Sequence, residues 1–142
     1  MSTIALNADS TTLVLNGTPI LDFAAGDIIE LNPVNPHSSQ VNGSIGVNIN
    51  KRVDGNVRDL VVRVQRYSDS DIFFNSAINQ EDVTVFNGSA KTSFTKDNIA
   101  GVESWILENG SITTLPSEVF NDTDGNAMME YTIQFRNTQR NL

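Results

Sequence analysis

The sequence predicts one mostly β domain, a sandwich or barrel with one short flanking helix. Three features predict it. Asn-Gly or Asp-Gly pairs recur at Asn16-Gly17, Asn42-Gly43, Asp54-Gly55, Asn87-Gly88, Asn109-Gly110 and Asp124-Gly125. Apolar and polar residues alternate with period two between them. A single stretch, about residues 70–80, carries helical spacing and a cap. Asn, Asp and Gly tolerate the positive φ that tight hairpin turns need, so the pairs read as β-turns between strands.

Taken in order, Thr12–Leu15 and Pro19–Phe23 flank Asn16-Gly17 as a first hairpin, and Asp27–Leu31 follows Gly26. Ser44–Asn50 alternates Ile45, Val47 and Ile49 with small or polar residues, which reads as a half-buried strand. Val57–Tyr67 places Leu60, Val62 and Val64 on one face and Asp59, Val61, Arg63 and Gln65 on the other. Ser68 and Asp71 have capping-box spacing at the start of the helix. Phe73, Phe74, Ala77 and Ile78 then share one arc, with Asp71, Asn75, Ser76 and Asn79 opposite. Val83–Phe86, Lys91–Thr95, Val102–Glu108 and Ile112–Leu115 read as short strands. Ala127–Arg136 has the cleanest alternation: Met129, Tyr131, Ile133 and Phe135 against Glu130, Thr132, Gln134 and Arg136. Residues 1–142 form one domain, with an N-terminal arm at 1–10 and a long loop at 32–43 that carries Pro33, Pro36, Ser38 and Ser39.

Composition excludes several classes. The chain has no cysteine, so disulfides, thiolate metal sites and thiol catalysis are absent. Nine basic residues against 17 acidic ones give a net charge of −8. Phosphate binding needs Lys and Arg, so a folded nucleic-acid binder is not expected, and an acidic surface repels anionic lipid. No apolar run is long enough to span a bilayer as a helix, and Met1–Ser10 lacks the pattern of a signal peptide. Asn16, Asn42, Asn87, Asn109 and Asn121 are Asn-x-Ser/Thr sites, four of them in Asn-Gly pairs that read as turns.

The search for reactive groups yields little. His37 is the only histidine, and no motif places a nucleophile beside it. Asn121–Asn126 looks like a calcium loop, but with Gly125 at position six the end positions fall on Phe120 and Tyr131, which lack carboxylates. Asp69 with Asp71 and Glu81 with Asp82 read as cap and turn residues. Trp105 reads as a core or subunit contact rather than a sugar platform. No enzyme, metal or cofactor is expected.

The order of elements resembles the tail tube proteins of long-tailed bacteriophages. The resemblance covers most of the chain: Leu15-Asn16-Gly17-Thr18-Pro19-Ile20 with Phe23, then Gly26-Asp27 and Ile28, the Asp54-Gly55 turn with the strand to Tyr67, Phe73-Phe74 in a capped helix, Gly101-Val102-Glu103-Ser104, and Tyr131-Thr132-Ile133-Gln134-Phe135 at the close. It implies a structural virion protein of tail-tube-like fold, shared with secretion-system tubes. Six copies would form a ring, and rings would stack around a tape measure protein and meet tail completion proteins. The resemblance places the protein in the virion tail, assembled in the host cytoplasm. DNA would pass through the lumen during ejection without specific binding. Ring-to-ring contacts would come from the arm and the long loop, through Asn32, Pro33, Pro36, His37 and Val41. The polar face of the last strand, Glu130, Thr132, Gln134 and Arg136, would line the lumen. Another virion component, such as a decoration or tail-tip protein, and a carbohydrate- or host-surface-binding sandwich remain open.

The incomplete ligand set at Asp122–Asn126 predicts that folding needs no metal. Thermal melts with and without a chelator should coincide, and a fall of many degrees on chelation would reveal a calcium site.

Overall fold

The computed structural model describes residues 4–6, 11–23, 29–118 and 128–142. The strands are β1 (Ile4–Leu6), β2 (Thr12–Leu15), β3 (Thr18–Ile20), β4 (Ile29–Pro33), β5 (Ser38–Asn42), β6 (Val47–Lys51), β7 (Arg58–Gln65), β8 (Phe86–Lys96), β9 (Ile99–Thr114) and β10 (Met128–Asn141). One helix, α1 (Asp69–Ile78), follows β7. An antiparallel sheet runs β3-β2-β8-β9-β10-β7-β4, with β1 added to β8, and β5–β6 form a separate hairpin. Every predicted class of element is present: mostly β, with one short helix.

Strand pleating sets the core. β7 and β10 pair with Tyr131 opposite Val62 and Ile133 opposite Leu60. Leu60, Val62, Val64, Met129, Tyr131, Ile133 and Phe135 are buried on the inner face, as the alternation predicted. Each such side chain contributes roughly 1.5–3 kcal/mol when buried. Leu13, Leu15 and Ile20 from the first hairpin, Phe86, Ala90 and Leu107 from β8 and β9, and Phe74 from α1 complete the cluster. Phe74 lies 4.8 Å from the Tyr131 ring and Phe73 lies 6.0 Å from Phe86, so α1 is held over the sheet by aromatic contacts.

The helix start differs from the sequence reading in one respect. Ser68 caps as expected, its Oγ accepting from the Asp71 N–H at 3.2 Å. Asp71, however, is buried rather than on the polar arc. Its Oδ1 accepts from the Tyr131 hydroxyl at 2.5 Å and its Oδ2 from the Tyr67 N–H at 3.0 Å. The second bond stabilises Tyr67 at φ 68, a left-handed conformation that is costly for a side-chain-bearing residue. Helical spacing alone could not reveal that a strand tyrosine reaches this position from across the core.

Two Asn-Gly pairs are not turns. Asn87-Gly88 lies inside β8 and Asn109-Gly110 inside β9, so the short strands predicted on either side of Asn109-Gly110 are one, and β8 runs unbroken through Phe86–Lys96. A Cβ on Gly88 would sit 1.9 Å from the Val14 carbonyl oxygen, and one on Gly110 would sit 2.4 Å from the Phe135 ring. These glycines serve close packing. The asparagines link strands: Asn16 Oδ1 accepts from the Asn87 N–H at 2.9 Å, and Asn87 Oδ1 from the Asn109 N–H at 3.0 Å. Asn16-Gly17 does turn, with both φ positive (52 and 77), as does the unanticipated Asp97-Asn98 (50 and 65).

The segment 32–43 is not a loop. Asn32 and Pro33 end β4, and Ser38–Asn42 is β5, paired with β6 from Ser38 opposite Lys51 to Asn42 opposite Val47. Ile45 precedes this strand, and Val47 and Ile49 are exposed rather than half-buried. Within the expected arm, Ile4–Leu6 pairs with Phe94–Lys96. The remainder of 1–10, Asp27-Ile28, the Asp124-Gly125 turn with residues 121–126, and Ala127 lie outside the described residues.

Burial pushes the Tyr131 phenol well above its ordinary value, and its bond to Asp71 pushes it further. A raised folded-state value stabilises the fold fully below the unfolded value near pH 10, and that contribution is lost as pH rises through the folded value. Stability should therefore fall as pH climbs above about 10, and Tyr131→Phe should lack that part of the fall. At neutral pH Tyr131→Phe strands the Asp71 oxygen and should cost about 1–3 kcal/mol in denaturant unfolding. An unchanged midpoint would mean the pair contributes nothing.

Candidate functional site: the outward sheet face and the projecting hairpin

The outer face of β4, β7 and β10 follows from the same pleat that fills the core. Arg63 sits at its centre. Its Nε donates to Glu130 Oε2 at 3.0 Å and its Nη2 to Glu30 Oε2 at 3.3 Å, so one guanidinium bridges three strands. Burial would lower the guanidinium's pKa, but its two carboxylate partners raise it above its ordinary value. Nearby, Gln134 Nε2 donates to Asp59 Oδ1 at 3.1 Å. Val61 is buried beneath this polar layer. The predicted lumen set lies together on β10: Glu130 and Arg136 are exposed, while Thr132 and Gln134 are half-buried. Glu130 is ion-paired rather than a free carboxylate. With its side chain about half exposed, the pair contributes at most about 1 kcal/mol.

The second feature is the β5–β6 hairpin. It extends the β4–β7 ladder past its end: Val34 N–H donates to the Val57 carbonyl at 3.1 Å, and Arg52 N–H to the His37 carbonyl at 2.9 Å. Arg52 also pairs with Asp54 at 3.0 Å at this joint. From Ser38 to Lys51 every residue is exposed. The cross-strand register puts Val47, Ile49 and Lys51 on one face and Val41 on the other. The predicted contact residues therefore divide. Asn32 and Pro33 end a sheet strand, Pro36 and His37 form the joint, and Val41 lies on the hairpin; all five are exposed. The sequence reading missed Ile45, Val47 and Ile49, which are 100%, 53% and 65% exposed. The available signal was their partner strand, Ser38-Ser39-Gln40-Val41-Asn42, which offers no apolar layer to pack beneath them.

The remaining candidates have structural partners. Trp105 is half-buried, with the Arg58 guanidinium 4.8 Å from its ring centre. Its Nε1 donates to Glu103 Oε1 at 3.0 Å, and Glu103 also accepts from Arg140 at 2.7 Å. These bonds hold the Glu103 carboxyl below its usual range. Among the described residues, no group of three or more His, Asp or Glu side chains could hold a metal. Residues 121–126, the calcium-like stretch, fall outside them.

No protein-family model matches the chain, and no curated protein does. Solved structures do. A chain of the sheath–tube complex of the extracellular contractile injection system PVC, in its extended state, shares 13% identity over 96% of this chain and 90% of that one, with a TM-score of 0.65. A chain of the PVC sheath/tube terminator, also extended, shares 13% identity over 96% of both chains, again at 0.65. A chain of the anti-feeding prophage cap, the AFP tube terminating cap, shares 14% identity over 96% of this chain and 90% of that one, at 0.63. At such identities the likeness is one of fold: this chain has a tail-tube-like fold along nearly its whole length.

Proposed function

We propose that the chain is a structural subunit of a tail-like tube, built from stacked rings of identical copies. The observation that carries this reading is the β5–β6 hairpin, which projects from the sheet with exposed branched aliphatic residues that bury nothing within the subunit. Such a hairpin is poorly stable alone and needs a neighbouring surface. The fold likeness to chains from injection-system tube assemblies, over 96% of the sequence, supports the same role and leaves little of the chain for another. A structural role also accounts for titratable side chains engaged in capping and ion pairs.

In this reading the ring is sixfold, and the outer face around Arg63 lines the lumen. Two carboxylates satisfy the Arg63 guanidinium across β4, β7 and β10, so this centre offers little free positive charge to a passing polyanion. Glu130, Thr132, Gln134 and Arg136 then face the cargo, which is the genome of a long-tailed phage, in a tail assembled in the host cytoplasm around a tape measure protein and closed by tail completion proteins. The hairpin residues, with Asn32, Pro33, Pro36 and His37 at its base, make the ring-to-ring contact. A second reading is favoured by two of the neighbours, which come from an extracellular contractile injection system: the tube belongs to a particle that delivers something other than a genome.

Solution mass and negative-stain microscopy of the purified chain at rising concentration should show rings or tubes. A strict monomer at every concentration would overturn the tube reading. Glu130→Lys should leave ring formation nearly intact, because Glu30 still pairs with Arg63, and should slow genome ejection most at low salt, where phosphate attraction is least screened. Lost assembly with normal ejection from surviving particles would place Glu130 in a contact instead.

A further inference from the structure

We propose that the hairpin of one copy docks its Val47–Ile49 face into the groove beside the C-terminal end of α1 on the next copy, an inference that rests on the tube reading above. The groove holds about 160 Å³ and its lining is mixed: Phe86, Ile112, Val83 and Leu115 supply apolar surface, and Glu81 and Asp82 supply carboxylates. Val83 and Leu115 at its mouth are 75% and 60% exposed. Two exposed apolar patches, Val47 with Ile49 and Val83 with Leu115, thus occur on one chain, and the topology sets them apart. Pro33, Arg58, Phe135, Gly110 and Phe86 form one row across β4, β7, β10, β9 and β8. The hairpin continues the ladder to one side of this row, and Ile112, Leu115 and the approach to Phe86 lie on the other.

A subunit's own hairpin therefore points away from its own groove. A donor at one end and an acceptor at the other make a heterologous contact, which propagates into a stack rather than closing a dimer. Charge supports the same match. Lys51 follows Val47 and Ile49 on one hairpin face, and its ammonium would meet the Glu81 and Asp82 carboxylates that help line the groove. Docking buries Val47, Ile49, Val83 and Leu115 together, removing from water the apolar area that each copy exposes.

The chain has no native cysteine, which makes cross-linking direct. A disulfide requires Cα atoms roughly 4.4–6.8 Å apart, so it reports contact and not mere proximity. The variant carrying Ile49→Cys and Leu115→Cys, assembled and oxidised, should give a ladder of covalent dimers, trimers and higher species that neither single variant gives. Tubes without a ladder would overturn the groove assignment and leave the tube reading standing. A wild-type chain that never assembles would overturn both. Independently, Lys51→Glu should raise the concentration needed for assembly severalfold, and adding Glu81→Lys with Asp82→Lys should restore it. Wild-type-like assembly of Lys51→Glu, or failure of the added substitutions to restore it, would overturn the charge match.

Discussion

The pleat of the β7–β10 pair is the constraint on which the rest depends. Successive side chains must point to opposite faces, so burying Leu60, Val62, Val64, Tyr131, Ile133 and Phe135 commits Asp59, Arg63, Glu130, Thr132 and Gln134 to the outside. A one-residue slip would exchange the two sets. The inner face needs a cover, which the remaining strands and α1 provide. The outer face needs polar satisfaction, which Arg63 gives by bridging Glu30 and Glu130. Asp71 links the two layers, because one carboxylate orders the β7–α1 turn at Tyr67 and holds the Tyr131 hydroxyl in the core.

That closed accounting makes the hairpin stand out. Among the described residues no buried side-chain polar atom lacks a hydrogen-bond partner, while Ser38–Lys51 extends beyond the sheet with every residue exposed. A two-stranded ribbon without a third strand or an apolar layer is marginal in isolation. Its aliphatic residues Val41, Val47 and Ile49 are exposed, outside the subunit core. In the tube proposed above, a neighbouring copy finishes this hairpin.

Much of this was legible in the sequence. Alternation fixed the faces of β7 and β10, because a strand's period can be read without knowing its neighbours. The Ser68 cap and the Phe73-Phe74 face located α1 to within a residue or two. The failures share a cause: each depends on what lies across space. Asn87-Gly88 and Asn109-Gly110 have turn chemistry, yet those glycines are required by the Val14 backbone and the Phe135 ring, which approach from other strands. Asp71 looked solvent-facing on a helical wheel until Tyr131 arrived from β10. Residues 32–43 looked like a loop because proline and polar residues dominate them, although Ser38–Asn42 pairs regularly with β6. The candidate site was half legible: the polar face of β10 followed from alternation, whereas Ile45, Val47 and Ile49 carried the signature of a half-buried strand and are solvent-exposed instead.

Within one subunit the core packs on its own residues, and in the proposed tube a neighbour completes the β5–β6 hairpin. Amide hydrogen exchange on free and assembled protein tests this most directly, because it reports opening of each backbone segment separately. Leu60–Val64 and Tyr131–Phe135 should show strong, unchanged protection in both states, with Ser38–Lys51 exchanging fast in the free subunit and slowly in the assembly. Equal protection of the hairpin in the two states would contradict it.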